Sequence, residues 1–592
     1  MGVSRRPVDY ELVAQAEPDA DADDSHRDAS QITTAGRGTS RRVRQWTTFG
    51  LAFTLALVFC LALNYLTGNT SPLHSPQPNP NPSNSCPCSP TSSVPQYFQT
   101  TPELWAGPTP TGNPAFLAQT RTWQGDYIPN APLQTAIPIS GSKPDQKSIF
   151  QMMGYLTPYT PSPGFGVDEF PLPRDAEILQ VQMLSRHGAR YPTSGANVME
   201  FAERIAKAKQ KGGVRFKKEL EFLTRWEYAL GGETLVPKGR MELFESGVLH
   251  AYMYEGLSNP TSKIIVRTTT QDRMLKSAEN FLAGFFGLEW TRNATIEVVI
   301  EERGFNNSLA GDLNCPNARR LKGGTTAAME WIGRYLREAT ERLSAMVEGY
   351  EWTVTDTYAA QTMCPYETVA YGASRFCELF TYDEWKGFEY SVDLWFYGDI
   401  SFGSPTGRAV GIGYQQEVIA RLNNHTLGYS GSQINITLDN NTETFPLNQT
   451  LYFDFSHDTN IVAILTAFGL TQFAKRLDPT AHPGDHNFTV THLTPFGARL
   501  DIEIIRTPKP LAADRSSYLD GPSTKYIHFV LNQRTIPLGL SLPACNASRV
   551  DGWCELGAFL QEQEKMPGLA RFEEACYGEY PLDATVEDGA PP

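Results

Sequence analysis

Two stretches of this chain share one construction: an apolar, strand-like run stops at a polar cluster containing histidine and continues into a helix. Residues 177–184 read EILQVQML and lead straight into Ser185-Arg186-His187-Gly188-Ala189-Arg190-Tyr191-Pro192. Over 196–211, Val198, Phe201, Ala202 and Ile205 recur at helical spacing, and Ser194 is placed to cap that helix. Far downstream, LYFDFS (451–456) ends in His457-Asp458, and Thr459 can cap an apolar helix over 460–470. Strand–loop–helix units of this kind build α/β sheets, where ligands bind outside the carboxyl ends of the strands. Two charged motifs at such ends can therefore meet in one crevice.

The residue types suit phosphate chemistry. Arg186 and Arg190 are planar, permanently charged forks that match phosphate oxygens. A helix start offers further N–H groups to an anion. Gly188 lets the backbone approach closely. Cations around His187 favour its neutral ring and keep one nitrogen available for nucleophilic attack, which points to phosphoryl transfer through a phosphohistidine. Asp458 can give a proton to a leaving alcohol. A third element, KIIVR (263–267), reads as a short strand ending in Arg267, expected as a third phosphate ligand. Arg273 falls on the helix that follows, over 274–286, and reads as structural, paired to an acid. Taken singly, each motif also fits a surface loop or a capped helix start. Their combination carries the reading.

The rest of the sequence sets the compartment. The formal net charge is −15 over 592 residues, which argues against a nucleic-acid partner because phosphate backbones need a basic footprint. Residues 46–66 carry no charge, and a membrane helix needs about 20 apolar residues. Arg37, Arg41, Arg42 and Arg44 precede this run, and the first basic residue after it is Arg121. The expected topology is a single-pass type II membrane protein, its N-terminus cytosolic and the remainder extracellular or in a secretory or vacuolar lumen. A cleaved signal peptide is the alternative, with a shorter tail and apolar run than these. The tail to residue 45 has seven arginines and eight acidic residues, so nearly all of the negative charge lies on the exported side. Tyr10-Glu11-Leu12-Val13 fits either a sorting signal or a solvated tail. Residues 67–118, rich in Pro, Ser, Asn and Thr, read as a stalk. Nine sequons (Asn69, Asn293, Asn306, Asn424, Asn435, Asn440, Asn448, Asn487 and Asn546) all follow the apolar run, as do eight of the nine cysteines.

LSRHGARYPT, VRTTTQDR and FSHDTN, in this order, together with MCPYETVA, CELFTYDEW, GIGYQQEVIARLNN and THLTPFGARL, resemble the histidine acid phosphatases, specifically the fungal phytase-like branch. The likeness extends over roughly 150–580. It implies a phosphoglycerate-mutase-like α/β core with a mainly helical second domain, here preceded by one transmembrane helix. On that basis 119–592 is the catalytic unit, with the α/β core in about 119–195 and 440–592 and the helical domain in about 196–439. It also implies roles: His187 as the phosphorylated nucleophile, Asp458 as proton donor, and Arg186, Arg190, Arg267 and His457 as phosphate ligands. Neither a metal nor a cofactor is needed. The disulfides implied are Cys364–Cys377, Cys545–Cys554 and Cys315–Cys576, while Ala176 stands where the family has a further cysteine. The family's fungal phytases carry lysines after the first motif and before a Tyr-Tyr-Gly stretch. Here those regions read SGANVMEF and DLWFYGD, with Asp393, Leu394, Trp395 and Phe396. The expected substrate is therefore a small phosphate monoester hydrolysed broadly. A dedicated 3-phytase or inositol-polyphosphate phosphatase, with Lys207, Lys209, Lys211, Lys217 and Lys218 compensating, is the second reading. An inactive membrane-anchored binding protein on the same fold is the third.

Overall fold

Residue alternation along the central strands decides how the layers assemble. The computed structural model describes residues 137–592, apart from 144, 145, 260, 430 and 582. The tail, the apolar run 46–66, the whole stalk, Cys86, Cys88 and Asn69 lie outside the described residues. Among the described residues no helix is long and apolar enough to cross a membrane.

One sheet is built from β1 (Glu177–Arg186), β2 (Ile264–Thr269), β3 (Ala294–Val299), β4 (Leu451–Ser456), β5 (Arg499–Thr507), β6 (Thr524–Leu531), β7 (Arg534–Ile536) and β8 (Cys554–Glu555). Its order is β8-β6-β5-β1-β4-β2-β3, with β7 on β6. β1, β4, β2 and β3 pair in parallel, while β5 to β8 pair antiparallel. The helices that matter here are α1 (Asn197–Lys211), α2 (Pro237–Tyr254), α3 (Asp272–Phe286), α4 (Gly323–Tyr335), α5 (Val354–Tyr371), α6 (Tyr382–Asp399), α7 (Gly407–Asn423) and α8 (Asp458–Ala467).

Successive strand residues point to opposite faces. Leu451, Phe453 and Phe455 of β4, Val181 and Met183 of β1, and Ile264 and Val266 of β2 join one core with Leu243 and Tyr254 of α2 and Met274, Phe281 and Phe285 of α3. Phe281 meets Phe453 and Phe455 edge-on, with centroids 4.9 and 5.5 Å away. Each such burial stabilises by roughly 1.5–3 kcal/mol. The intervening residues, Gln182, Asp454 and Arg267, face α7, whose Tyr414, Glu417 and Arg421 share one stripe. α7 and α8 touch closely, since a Cβ on Gly411 would lie 2.3 Å from the Ala463 carbonyl oxygen.

The mixed α/β class is as expected, but element boundaries shift. β2 and β3 come from within the 196–439 stretch expected to be mainly helical, because two short β-branched runs, which follow α2 and α3, pair on the β4 side of the sheet. Helix α1 has Ala196 in the cap position instead of Ser194. Helix α8 begins at Asp458 with His457 in the cap position, ahead of the expected Thr459. The stripe from Ala328 to Met346 spans two helices, α4 and Arg337–Ser344, because Leu336 adopts φ −90° and ψ 1° and interrupts the ladder. α5 and α6 start at capping boxes, Thr353 with Asp356 and Thr381 with Glu384. The three implied disulfides are present, and Cys315–Cys576 closes a sequence separation of 261.

Candidate active site

β1 and β4 are parallel neighbours with Arg186 opposite Ser456, so the next residues, His187 and His457, leave the sheet at the same end. Their ring centroids lie 5.8 Å apart. Arg186 Nη2 pairs with Asp458 Oδ2 at 2.6 Å. Arg186 Nη1 donates to the carbonyls of Tyr155 at 2.5 Å and Thr494 at 2.9 Å, and the guanidinium sits 4.5 Å from the Phe496 ring centroid. These contacts hold a fully buried cation in one orientation.

His187 Nδ1 lies 2.9 Å from the Gly188 carbonyl oxygen. A carbonyl can only accept, so Nδ1 carries the hydrogen and Nε2 the lone pair. The loop itself is pinned from below. Ala189 N–H donates to Glu242 at 2.8 Å, and Tyr159 N–H donates to the same carboxyl at 3.0 Å. Burial pushes Glu242 up, opposed by those two N–H groups and by Lys238 and Arg186. Gly188 packs on the start of α2, where a Cβ would fall 2.2 Å from the Gly239 carbonyl oxygen. Its small size thus serves packing onto α2. Arg190 is buried on the same loop, and its Nη1 donates to the Tyr191 carbonyl at 3.1 Å.

His457 has a partner that the motifs did not reveal. Its Nε2 is 3.0 Å from Glu301, a buried residue just beyond β3. A carboxylate there fixes the ring's orientation. Asp458 Oδ1 accepts the Thr459 N–H at 2.7 Å. The first helical turn thus helps to position this carboxyl.

Arg267 corrects the sequence reading. β2 runs two residues past it, so Arg267 lies mid-strand, opposite Asp454, with its side chain under α7. Its Nε bonds Asp454 at 2.8 Å, Nη2 bonds Glu417 at 2.5 Å, and Nη1 lies 3.8 Å from Asp439. Nε and Nη2 are bonded to carboxylates and Nη1 faces a third, so this guanidinium is held by acids under α7. Despite its burial, Arg267 and Arg421 hold Asp454 well below the usual carboxylate range. Glu297, half-buried beside them, is pushed up to about 8 by desolvation.

Arg273 takes the place expected of Arg267. It lies in the first turn of α3, pairs with Glu233 at 2.9 Å, and Glu233 accepts the Ser194 N–H at 2.7 Å. One turn further, Ser277 Oγ accepts the Gly188 N–H at 3.2 Å. This helix face therefore borders the His187 loop. The expected pairing of Arg273 to an acid is present. Its position beside the loop was legible only if Thr268 and Thr269 were read as a continuation of β2, which β-branched residues favour.

The surface lysines do not converge here. Lys207 pairs with Glu203, Lys209 donates to the carbonyls of Leu223 and Trp226, and Lys217 pairs with Glu348. Asp393, Leu394, Trp395 and Phe396 are all buried in α6. Asp393 bonds the Val490 N–H and His486.

Arginines and two histidines at the carboxyl end of a mixed sheet define a phosphate-handling α/β protein. Residues 177–532 match the histidine phosphatase superfamily (branch 2). Phytase A of Aspergillus fumigatus is 31% identical over 406 residues, covering 66% of this chain and 83% of that protein. Phytase A of Aspergillus terreus is 34% identical over 356 residues, covering 57% of this chain and 75% of that protein. The crystal structure of the phytase from D. castellii shares the fold with a TM-score of 0.58 at 24% identity, covering 75% of this chain and 92% of that one. The chain belongs to the histidine phosphatase superfamily, branch 2, and is a phytase-like phosphomonoester hydrolase.

Proposed function

We propose that the protein hydrolyses phosphate monoesters in two steps through a phosphohistidine on His187. The observation that carries this is the meeting of Arg186-His187 with His457-Asp458 at the ends of adjacent parallel strands. Arg186, Arg190, Arg273 and His457 surround the phosphate and offset its charge. His187 Nε2 attacks phosphorus as the bond to the leaving oxygen breaks, and Asp458 protonates that oxygen. Water then attacks the phosphohistidine, the P–N bond breaks, and the Asp458 carboxylate takes the water's proton.

Asp458→Asn tests the acid. On an alkyl phosphate ester kcat/KM, which reports the phosphorylation step alone, should fall about 10²–10⁴-fold. On p-nitrophenyl phosphate the loss should be far smaller, because nitrophenolate leaves without a proton. Equal losses on the two esters would remove Asp458 from that role.

The substrate reading is a broad phosphomonoesterase that also accepts phytate. The Aspergillus relatives named above are phytases, which supports phytate. Leu394 and Trp395, in the stretch where those enzymes are expected to carry lysine, support breadth.

The protein is further read as an N-terminally anchored glycoprotein with its catalytic unit outside the cytosol. The uncharged run 46–66 behind an arginine cluster supports the anchor. Six of the sequon asparagines, Asn306, Asn424, Asn440, Asn448, Asn487 and Asn546, are exposed, which supports glycosylation. Carbonate extraction of membranes should leave the full chain in the pellet. Deletion of 46–66 should release it, and recovery of the intact chain in the supernatant would reject the anchor.

A further inference from the structure

The carbonyl oxygens that orient Arg186 hang from two turns, and helix α6 holds both. Arg186 Nη1 donates to the carbonyls of Tyr155 and Thr494. Tyr155 belongs to a short 3₁₀ turn, Gly154–Leu156, and Thr494 directly follows a short helix, Val490–Leu493. Thr491 Oγ1 accepts the Gly154 N–H at 3.0 Å and ties the two together. From α6, Val392 packs so closely on Gly154 that a Cβ there would fall 2.6 Å from Val392 Cγ1. Its neighbour Asp393 accepts the Val490 N–H at 2.7 Å. Displacing Asp393 would therefore shift the frame in which the Arg186 guanidinium is fixed.

Asp393 is fully buried, and a buried carboxylate needs a counter-charge. Among the described residues His486 is the one cation bonded to it, through Nε2 at 2.9 Å. His486 Nδ1 lies 2.8 Å from the Gly484 carbonyl oxygen. A carbonyl and a carboxylate both only accept, so both ring nitrogens carry hydrogen and the ring is an imidazolium. The charges around it are otherwise engaged. Lys147 pairs with Glu389 at 2.8 Å and Lys386 with Asp383 at 2.5 Å. His482 Nδ1 accepts the Gly484 N–H, and Tyr390, edge-on to His486, donates its hydroxyl to the Asp478 carbonyl. Asp485 is exposed. Burial and the charge of His486 lower His482, and burial lowers His492 to about 4, so neither competes for the proton. Burial acts on His486 in the same direction, but the bond to Asp393 and its charge outweigh that and raise the ring above its ordinary value. A cavity of about 790 Å³, lined by Lys147, Lys386, Glu389, His482, His486 and His492, opens this pair to proton exchange.

We infer that His486 and Asp393 are positioning residues for Arg186, and that the proton on His486 keeps the Val490–Thr494 turn in its working place. Loss of that proton leaves Asp393 buried, charged and without its partner, and the turn loosens. The contribution is complete below the ordinary histidine value, near 6.5, and is lost as pH rises through the raised one. This rests on the roles given above to Arg186 and His187.

His486→Gln, which carries no charge, should lower kcat/KM for p-nitrophenyl phosphate at pH 5 about tenfold, while His486→Lys, a cation at every pH used, should stay within about threefold of wild type. Between pH 5 and 7.5 wild type should then lose about tenfold more kcat/KM than His486→Lys does. A residue that merely supports the fold would lower both variants alike and leave no such difference. In wild type, hydrogen exchange over 486–496, corrected for the intrinsic rate, should quicken about tenfold on the same change of pH while β4 stays protected. Wild-type kcat/KM in His486→Gln, or equal losses in wild type and His486→Lys, would overturn the inference and leave the hydrolase reading intact. If neither variant folds, unchanged exchange over 486–496 overturns it. Undiminished p-nitrophenyl phosphate turnover in His187→Ala would instead reject that reading, and the inference with it.

Discussion

His187→Ala should reduce turnover of p-nitrophenyl phosphate by about 10⁴-fold or more, the loss seen when a covalent nucleophile is removed from a unit of cooperating groups. The ring is fully buried, its Nδ1 is fixed on the Gly188 carbonyl, and its centroid lies 5.8 Å from that of His457. No neighbouring group can replace its Nε2. Asp458 is tied to Arg186 and the Thr459 N–H, and His457 is held by Glu301. His187→Asn is the companion variant, since it keeps a polar atom near Gly188 and should be equally inactive while melting close to wild type. Acid-labile, alkali-stable phosphate should be trapped on wild type and on neither variant. Retention of more than a few per cent of activity in a folded variant would exclude His187 as nucleophile.

Stability should be greatest in mildly acid solution and fall on both sides, most deeply toward alkaline pH. Burial pushes Glu297 to about 8, Glu367 to about 7 and Asp399 to about 6. Each is protonated in the fold at a pH where the unfolded chain has already ionised it. Their contribution is complete below the ordinary carboxylate values, near 4, and is lost progressively as pH rises through about 6 to 8. One unit of pH across such a gap changes stability by about 1.4 kcal/mol for each group, so the loss between pH 4.5 and 8 is on the order of 10 kcal/mol. The acid limb has the opposite origin. Burial lowers His492 to about 4, so the fold keeps it neutral while the unfolded chain takes up a proton below about 6.5. Asp454, held low by Arg267 and Arg421, adds stability that is lost as pH falls through its range. Scanning calorimetry from pH 3.5 to 8 should show the highest Tm on the acid side of neutrality. Glu297→Gln should flatten the decline between pH 6 and 8. A Tm that climbs steadily to pH 8 would contradict the assignment of these buried acids.

The parts of the site that could be read in advance are those governed by local pattern. β4 matches its expected span residue for residue, because LYFDFS alternates apolar and less apolar residues and stops at a polar pair. β1 was expected to end at Leu184 and runs on to Arg186, yet His187 still falls just past its end. Arg267 shows where local pattern gives out. A short β-branched run with a terminal arginine looks complete, but Thr268 and Thr269 extend it, and alternation then turns Arg267 toward α7. Arg273 was expected to be paired to an acid, which it is, but its partner Glu233 and the Gly188 loop beside Ser277 are reached only through the folded chain. Glu301 carried no motif at all, since its partner His457 lies 156 residues away.

The sequence by itself determined the family, the two strand-end motifs, the three disulfides and the −15 charge that sets a phosphate enzyme the problem of concentrating cations. Local spacing suffices for the two motifs, because a strand, its terminal loop and the next helix are contiguous in the chain; the family and the disulfides came from the resemblance those motifs carry, since Cys315 and Cys576 lie 261 residues apart. Only the tertiary structure decided which arginines lie beside the His187 loop and which carboxylate orients His457. Those outcomes depend on which strands become neighbours and which face each residue presents, and a side chain's electrostatic surroundings come mostly from segments distant in sequence.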